Sequence, residues 1–149
     1  MIVAFCGHAG FLKTEECAQR LLALLNKFVG DQPAEMYLGG YGNFDDFAYE
    51  CCKRYKAMHP HISLVFVTPY LTASYQRNHL KLQEKRYDFV LYPEIEDKPK
   101  KYAITYRNRY MMEQADFVIA YVSHNFGGAY AAYRHAKRRG KTVFNLAES

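Results

Sequence analysis

Short apolar runs alternate with longer, more polar stretches along the whole chain. Runs rich in β-branched and aromatic residues predict buried strands, at Ile2–Cys6, Glu35–Leu38, Ser63–Val67, Phe89–Tyr92, Phe117–Val122 and Thr142–Leu146. The stretches between them predict helices, at about 15–28, 44–58, 75–85, 102–114 and 127–139. Strands that alternate with helices in this way are typical of an α/β sandwich with a mostly parallel sheet of about six strands.

Several helix ends carry recognisable start and stop signals. Thr14 is suited to cap the first helix, and Glu15 and Glu16 follow in its positive first turn. Asn43 is the expected cap of the second helix. Gly140 follows the last helix and is expected to adopt the left-handed conformation that ends it.

The length and the even composition predict a single domain over residues 1–149, with no linker or low-complexity tract. No apolar run approaches the roughly 20 residues that a membrane span needs. The first ten residues contain no basic region, so they are expected to form a strand and not a signal peptide. None of the four cysteines lies in a CxxC pair, which favours buried thiols in a reducing cytoplasm.

The net charge of +5 suits an anionic partner without identifying one. The strongest basic cluster is Arg134, Lys137, Arg138 and Lys141, near the end of the last predicted helix. Cations at that end complement the helix dipole, so we interpret the cluster as a solvated face. No aromatic residue is expected to interleave with these charges as a nucleic-acid stacking surface would require.

Three loops at the carboxyl ends of predicted strands contain glycine or small polar residues: 7–10, 39–43 and 123–128. Ligands of open α/β sheets bind at this edge, and glycines let a ligand approach the backbone closely. We therefore expect a site for phosphate or another anion, although tight turns without a ligand would produce the same pattern. The candidate binding residues are Gly7, His8, Gly39, Gly40, Gly42, Asn43, Asp45, Arg109, Ser123, Asn125, Gly127 and Gly128.

Neither the fingerprint GxGxxG of nicotinamide dinucleotide binding nor a Walker loop is present, which argues against hydride transfer and nucleoside triphosphate hydrolysis. No cofactor is predicted. The six histidines do not form a ligand pattern with a carboxylate, so no metal site is predicted either.

Asp45 and Asp46 fall in the first turn of the second helix, where acids commonly complement the helix dipole. Asp45 could instead contact a ribose hydroxyl or polarise a glycosidic bond. Arg109 and Glu113 are four residues apart and could form a surface pair. Alternatively, Arg107 or Arg109 reaches an anionic ligand.

At these loops the sequence resembles the SLOG superfamily, a Rossmann-like group that includes DprA, the LOG phosphoribohydrolases and YpsA. The stretch from Gly39 to Ala48 is similar to the first motif of that group, in which an acid and an alanine follow the glycines. The stretch from Gly127 to Ala136, followed by Gly140 to Val143, is similar to the second motif. The resemblance covers nearly the whole chain and is greatest to small, single-domain YpsA-like proteins.

The resemblance implies a Rossmann-like three-layer fold that binds a nucleotide-derived ligand between the two glycine motifs. LOG enzymes carry a glutamate within PGGxGTxxE, and Arg134 occupies that position here. This difference argues against phosphoribohydrolase activity of the cytokinin-activating type. Nucleoside deoxyribosyltransferases are also similar around Ala115-Asp116-Phe117, but the glutamate that they require has no counterpart here.

Three hypotheses follow. The leading one is a cytoplasmic, homo-oligomeric protein that binds or senses a nucleotide-derived small molecule. The second is an enzyme that cleaves an N-glycosidic bond, with Asp45 or Glu113 as the catalytic carboxylate. The third is a nucleic-acid-binding module as in DprA, which uses the basic end of the last helix.

Overall fold

A computed structural model describes residues 1–70 and 81–148 of the chain. Its strands are β1 (Ile2–Gly7), β2 (Ala34–Leu38), β3 (Ile62–Val67), β4 (Phe89–Leu91), β5 (Phe117–Tyr121) and β6 (Thr142–Asn145). Its helices are α1 (Glu15–Phe28), α2 (Asn43–Met58), the short α3 (Lys81–Glu84), α4 (Ala103–Gln114) and α5 (Gly127–Arg138), with a 3₁₀ turn at Lys100–Tyr102. The predicted helix at 75–85 falls partly on residues 71–80, which lie outside the described residues.

All six strands are parallel and follow the order β4-β3-β2-β1-β5-β6. The predicted fold class is therefore confirmed. The strands form because uninterrupted apolar runs can be buried only where helices cover both faces of the sheet. The strand order reverses at β1, which has β2 on one side and β5 on the other, and such a switch point opens a crevice at the carboxyl edge.

Side chains of β1 alternate between two hydrophobic cores, as the two-residue period of a strand requires. Val3 and Phe5 pack with α1 and α2 on one face, and Ala4 and Cys6 pack with α4 and α5 on the other. The molecule is consequently a three-layer sandwich. All four cysteines are buried and unpaired.

The helix ends agree with the sequence at two points and differ at one. The Thr14 hydroxyl accepts the N–H of Cys17 at 3.1 Å, and Gly140 has a φ of 74°. Asn43, however, is not the cap of α2. That position belongs to Gly42, because the N–H of Asn43 donates to the carbonyl of Ala9 and holds it as the first helical residue.

Candidate functional site

A cleft of about 410 Å³ opens at the switch point. The loops after β1 and β5 form two of its walls, and α4 and the first turn of α2 close it. A larger groove, about 950 Å³, lies between α1 and α2. Four of its charged side chains pair with one another, Arg54 with Glu15 and Arg86 with Asp46, so these four offer less to a charged ligand.

The glycines around the cleft divide into two groups. A Cβ on Gly7 would lie 2.2 Å from Cγ of Phe44, and one on Gly40 would lie 2.5 Å from Cε1 of Phe66. Gly42 has a φ of 94° and is packed against Ala9. Packing and backbone conformation therefore require these three glycines whether or not a ligand binds.

At Gly127 and Gly128 a Cβ would meet nothing within 4 Å, although Gly127 has a φ of 90° that favours glycine whatever the space. Both line the cleft and begin α5. The cap residue Phe126 makes no side-chain hydrogen bond to the helix, and the first turn carries no acid. The open backbone N–H groups here provide the kind of surface that binds anions at helix N-termini.

Asp45 and Arg107 form the buried polar part of the cleft. Both line the cleft although they are only 9% and 3% exposed. The Arg107 Nη1 donates to the carbonyls of Gly39 at 3.1 Å and Val67 at 2.7 Å, which ties together the ends of β2 and β3. Asp45 Oδ2 accepts the N–H of Tyr41 at 2.9 Å.

Burial raises the pKa of Asp45 to about 6, although the Tyr41 N–H and the nearby Arg107 charge act in the opposite direction. Gly39 allows this arrangement. A Cβ there would lie 3.1 Å from Asp45 Oδ2 and 3.3 Å from the Arg107 guanidinium. The carboxyl group is thus held where its protonation changes near neutral pH, which is a feature common at functional sites.

Three rings stack at the mouth of the cleft. His8 lies 3.5 Å from His124, and His124 lies 3.9 Å from Phe126, with interplanar angles of 12° and 21°. The N–H of Ser123 donates to His8 Nε2, so this nitrogen carries no proton. Burial and the neighbouring His124 lower the pKa of His8, which favours a neutral ring. Phe126 is 66% exposed, so much of its ring is accessible to a ligand.

Asn145 holds the loop that carries this stack. Its Oδ1 accepts the N–H of Val122 at 3.0 Å, and its Nδ2 donates to the carbonyl of the same residue at 2.9 Å. The Asn145 side chain at the end of β6 therefore binds the backbone one residue beyond the end of β5. Sequence reasoning missed Asn145 as it missed Phe126, although an aromatic residue directly before two glycines was a signal that it could have used.

The predicted binding residues do not all meet in the cleft. Those that line it are Gly7, His8, Gly39, Asp45, Gly127 and Gly128. Gly40, Gly42, Ser123 and Asn125 lie outside its lining, and Asn43 faces the larger groove between α1 and α2.

Glu113 and Arg109 also lie away from the cleft lining. Glu113 is bound by His135 at 3.0 Å and Arg139 at 2.5 Å, both from the region of α5, and not by Arg109. Burial raises the pKa of Glu113, but these hydrogen bonds outweigh it and the net shift is downward. Arg109 is exposed and lies over the Tyr106 ring at 5.4 Å.

The basic residues of α5 do interleave with aromatic side chains, contrary to the expectation from the sequence. Arg134 lies over Tyr130 at 5.7 Å, and Lys137 lies over Tyr133 at 5.1 Å. The four residues of the predicted basic cluster also do not share one face, because Lys141 donates to the carbonyl of Ala115. Residues four positions apart on one helix face produce these pairs.

Within the described ranges, 1–70 and 81–148, no helix has the length and apolar character needed to cross a bilayer. The same part of the chain contains no group of three or more His, Cys, Asp or Glu residues arranged to hold a metal ion.

Comparisons identify the fold. No protein-family model matches the chain, and no curated protein sequence matches it. Among solved structures, DNA processing protein A (DprA) from Helicobacter pylori, described with a single-stranded DNA binding mode, has a TM-score of 0.64 at 22% identity over 97% of this chain. DprA from Streptococcus pneumoniae has a TM-score of 0.65 at 17% identity over 96% of this chain. The structural-genomics target TM1055 has a TM-score of 0.59 at 14% identity over 95% of this chain.

This chain spans 64% and 49% of the two DprA chains and 71% of TM1055. At these identities the similarity concerns the fold. The chain therefore has the Rossmann-like α/β fold of the DprA and TM1055 structures.

Proposed function

We propose that the cleft binds a nucleotide, with the base stacked on Phe126 and the phosphate at the N–H groups of Gly127 and Gly128. The observation that carries this proposal is the stack of His8, His124 and Phe126, which ends directly at the open N-terminus of α5. A base that stacks on an aromatic side chain gains about 1–3 kcal/mol.

The remaining walls fit the other parts of a nucleotide. Asp45 lines the cleft, and its carboxylate can accept a hydrogen bond from a ribose hydroxyl. Its negative charge contrasts with the partial positive charge at the N-terminus of α5. The single-stranded DNA binding mode described for DprA from Helicobacter pylori supports a nucleotide unit as ligand. In our proposal the protein acts by binding or sensing this ligand and is a SLOG protein of the small YpsA-like type in the cytoplasm.

Calorimetric titration of nucleoside 5′-monophosphates tests the proposal. We expect Phe126→Ala to weaken binding about tenfold, the value of one base stack. Leu12→Ala provides a matched control, because Leu12 is 83% exposed and does not line the cleft. An unchanged affinity in Phe126→Ala, or no binding of any monophosphate by the wild-type protein, would refute the proposal.

Cleavage of an N-glycosidic bond is the second candidate, and the carboxyl group of Asp45 favours it. With a pKa of about 6 this group can hold or release a proton at the pH of the cytoplasm. Glu113 pairs with Arg139 and does not line the cleft, so we assign it no part in this reaction. Chromatography of nucleoside monophosphates should detect no free base. Several turnovers that disappear in Asp45→Asn would establish the enzyme in place of the binding protein.

A further inference from the structure

A second, positively charged depression continues from the cleft. It lies between α4 and α5, has a volume of about 260 Å³, and is called the α4–α5 groove below. Ile104, Asn108 and Gly128 line both the cleft and this groove, so a ligand can extend from one into the other.

Arginines from both helices line the groove: Arg109 from α4, and Arg134 and Arg138 from α5. No acidic residue lines it, whereas the groove between α1 and α2 contains Glu15, Asp46 and Glu50. In the described part of the chain, none of these three arginines has a carboxylate within salt-bridge distance. Their charge is therefore available to an external anion.

Arg134 lies near the position proposed for the first phosphate. Arg134 Nη1 donates to the hydroxyl of Tyr130 at 2.8 Å, so its guanidinium leans back toward the start of α5. Arg134 is six residues beyond Gly128, which corresponds to about 9 Å along the helix axis, and the backward lean of its side chain shortens the distance from the guanidinium to Gly128. A second anion at Arg134 would therefore lie within about 9 Å, along the helix axis, of a phosphate at Gly128.

We propose that the α4–α5 groove takes the second phosphate of the ligand whose first nucleotide occupies the cleft. The ligand is then a phosphodiester-linked chain of at least two nucleotides, either a dinucleotide or a longer single strand. This inference rests on the proposed function of the cleft and adds the class of nucleotide ligand. Guanidinium groups suit this role, because they bind phosphate oxygens with two parallel hydrogen bonds.

Affinity as a function of chain length tests the inference. The probes are thymidine 5′-monophosphate, 5′-phosphorylated dithymidylate and octathymidylate, titrated calorimetrically at one fixed salt concentration because salt alone changes such affinities. We expect the dinucleotide to bind about tenfold more tightly than the monophosphate. A further increase with the octamer identifies a strand as the ligand, and a plateau at the dinucleotide identifies a small molecule.

The double variant Arg109→Gln/Arg134→Gln should abolish the advantage of the dinucleotide and change monophosphate affinity less than about threefold. Lys53→Gln/Lys137→Gln removes the same charge from exposed positions outside the groove lining and should retain the advantage. Equal affinities for monophosphate and dinucleotide in the wild type, or equal losses in both double variants, would overturn the second-phosphate site alone. Absence of binding by all three probes would overturn the proposed function as well.

Discussion

The raised pKa of Asp45 predicts an unusual dependence of stability on pH. The carboxyl group has a pKa of about 6 in the folded protein, against 3.8 for a free aspartate. The folded state therefore binds the proton more tightly than the unfolded state, and the unfolding free energy falls as pH rises through this interval. At about 1.36 kcal/mol per pKa unit, the full cost of ionising Asp45 in the folded protein is roughly 3 kcal/mol.

Part of this loss of unfolding free energy has already occurred at about pH 4.5, because Asp45 is mostly ionised there in the unfolded protein and still protonated in the folded protein. Between about pH 4.5 and about pH 7.5 the expected change is roughly 2 kcal/mol. Asp45→Asn removes the titrating group and keeps an acceptor for the Tyr41 N–H. As pH rises over the same interval, the unfolding free energy of the variant should increase by about 2 kcal/mol relative to that of the wild type.

Urea unfolding at a series of pH values measures this difference, and taking the difference removes contributions common to both proteins, such as that of His8. Asp46→Asn is the matched control, since it removes the same charge from the neighbouring position and the Asp46 side chain is 65% exposed. A difference between wild type and Asp45→Asn that stays constant with pH would refute the burial argument.

Other substitutions have equally direct outcomes. Gly128→Val should fold normally, because its Cβ meets no atom within 4 Å, yet lose nucleotide binding by calorimetry. Gly7→Ala should lower the urea-derived unfolding free energy by about 1–3 kcal/mol, since its Cβ would overlap Phe44. Lys137→Ala/Arg138→Ala should change the calorimetric monophosphate affinity by under about 0.5 kcal/mol, because these Cα atoms are about 13 and 15 Å along α5 from Gly128.

The fold was predictable because its determinants are local. Short apolar runs such as 117–121, which are rich in β-branched and aromatic residues, favour strands buried on both faces, and parallel strands need crossover connections, usually helices. Element ends were less predictable. Asn43 has a side chain suited to a helix cap, but its N–H donates to the carbonyl of Ala9, and the cap position belongs to Gly42.

The site was predictable as an edge of the sheet and not as a set of residues. Gly40 and Gly128 look alike in the sequence, yet Phe66 fills the space beside one and the cleft lies beside the other. Glu113 has a partner at helical spacing in Arg109, but the packing of α4 on α5 gives it His135 and Arg139 instead. Such choices depend on contacts between residues that are distant in sequence.

Two of the helices that begin at the carboxyl edge, α2 and α5, differ in the charge of their first turns. The first turn of α2 carries Asp45 and Asp46, which compensate its positive end, whereas the first turn of α5 has no acid and leads toward Arg134. A phosphate is therefore attracted to α5 and repelled from α2 once Asp45 is ionised. Since that ionisation occurs near pH 6, the proposed nucleotide complex would place the phosphate at α5 and the sugar toward α2 at neutral pH, through the same group that reduces stability there.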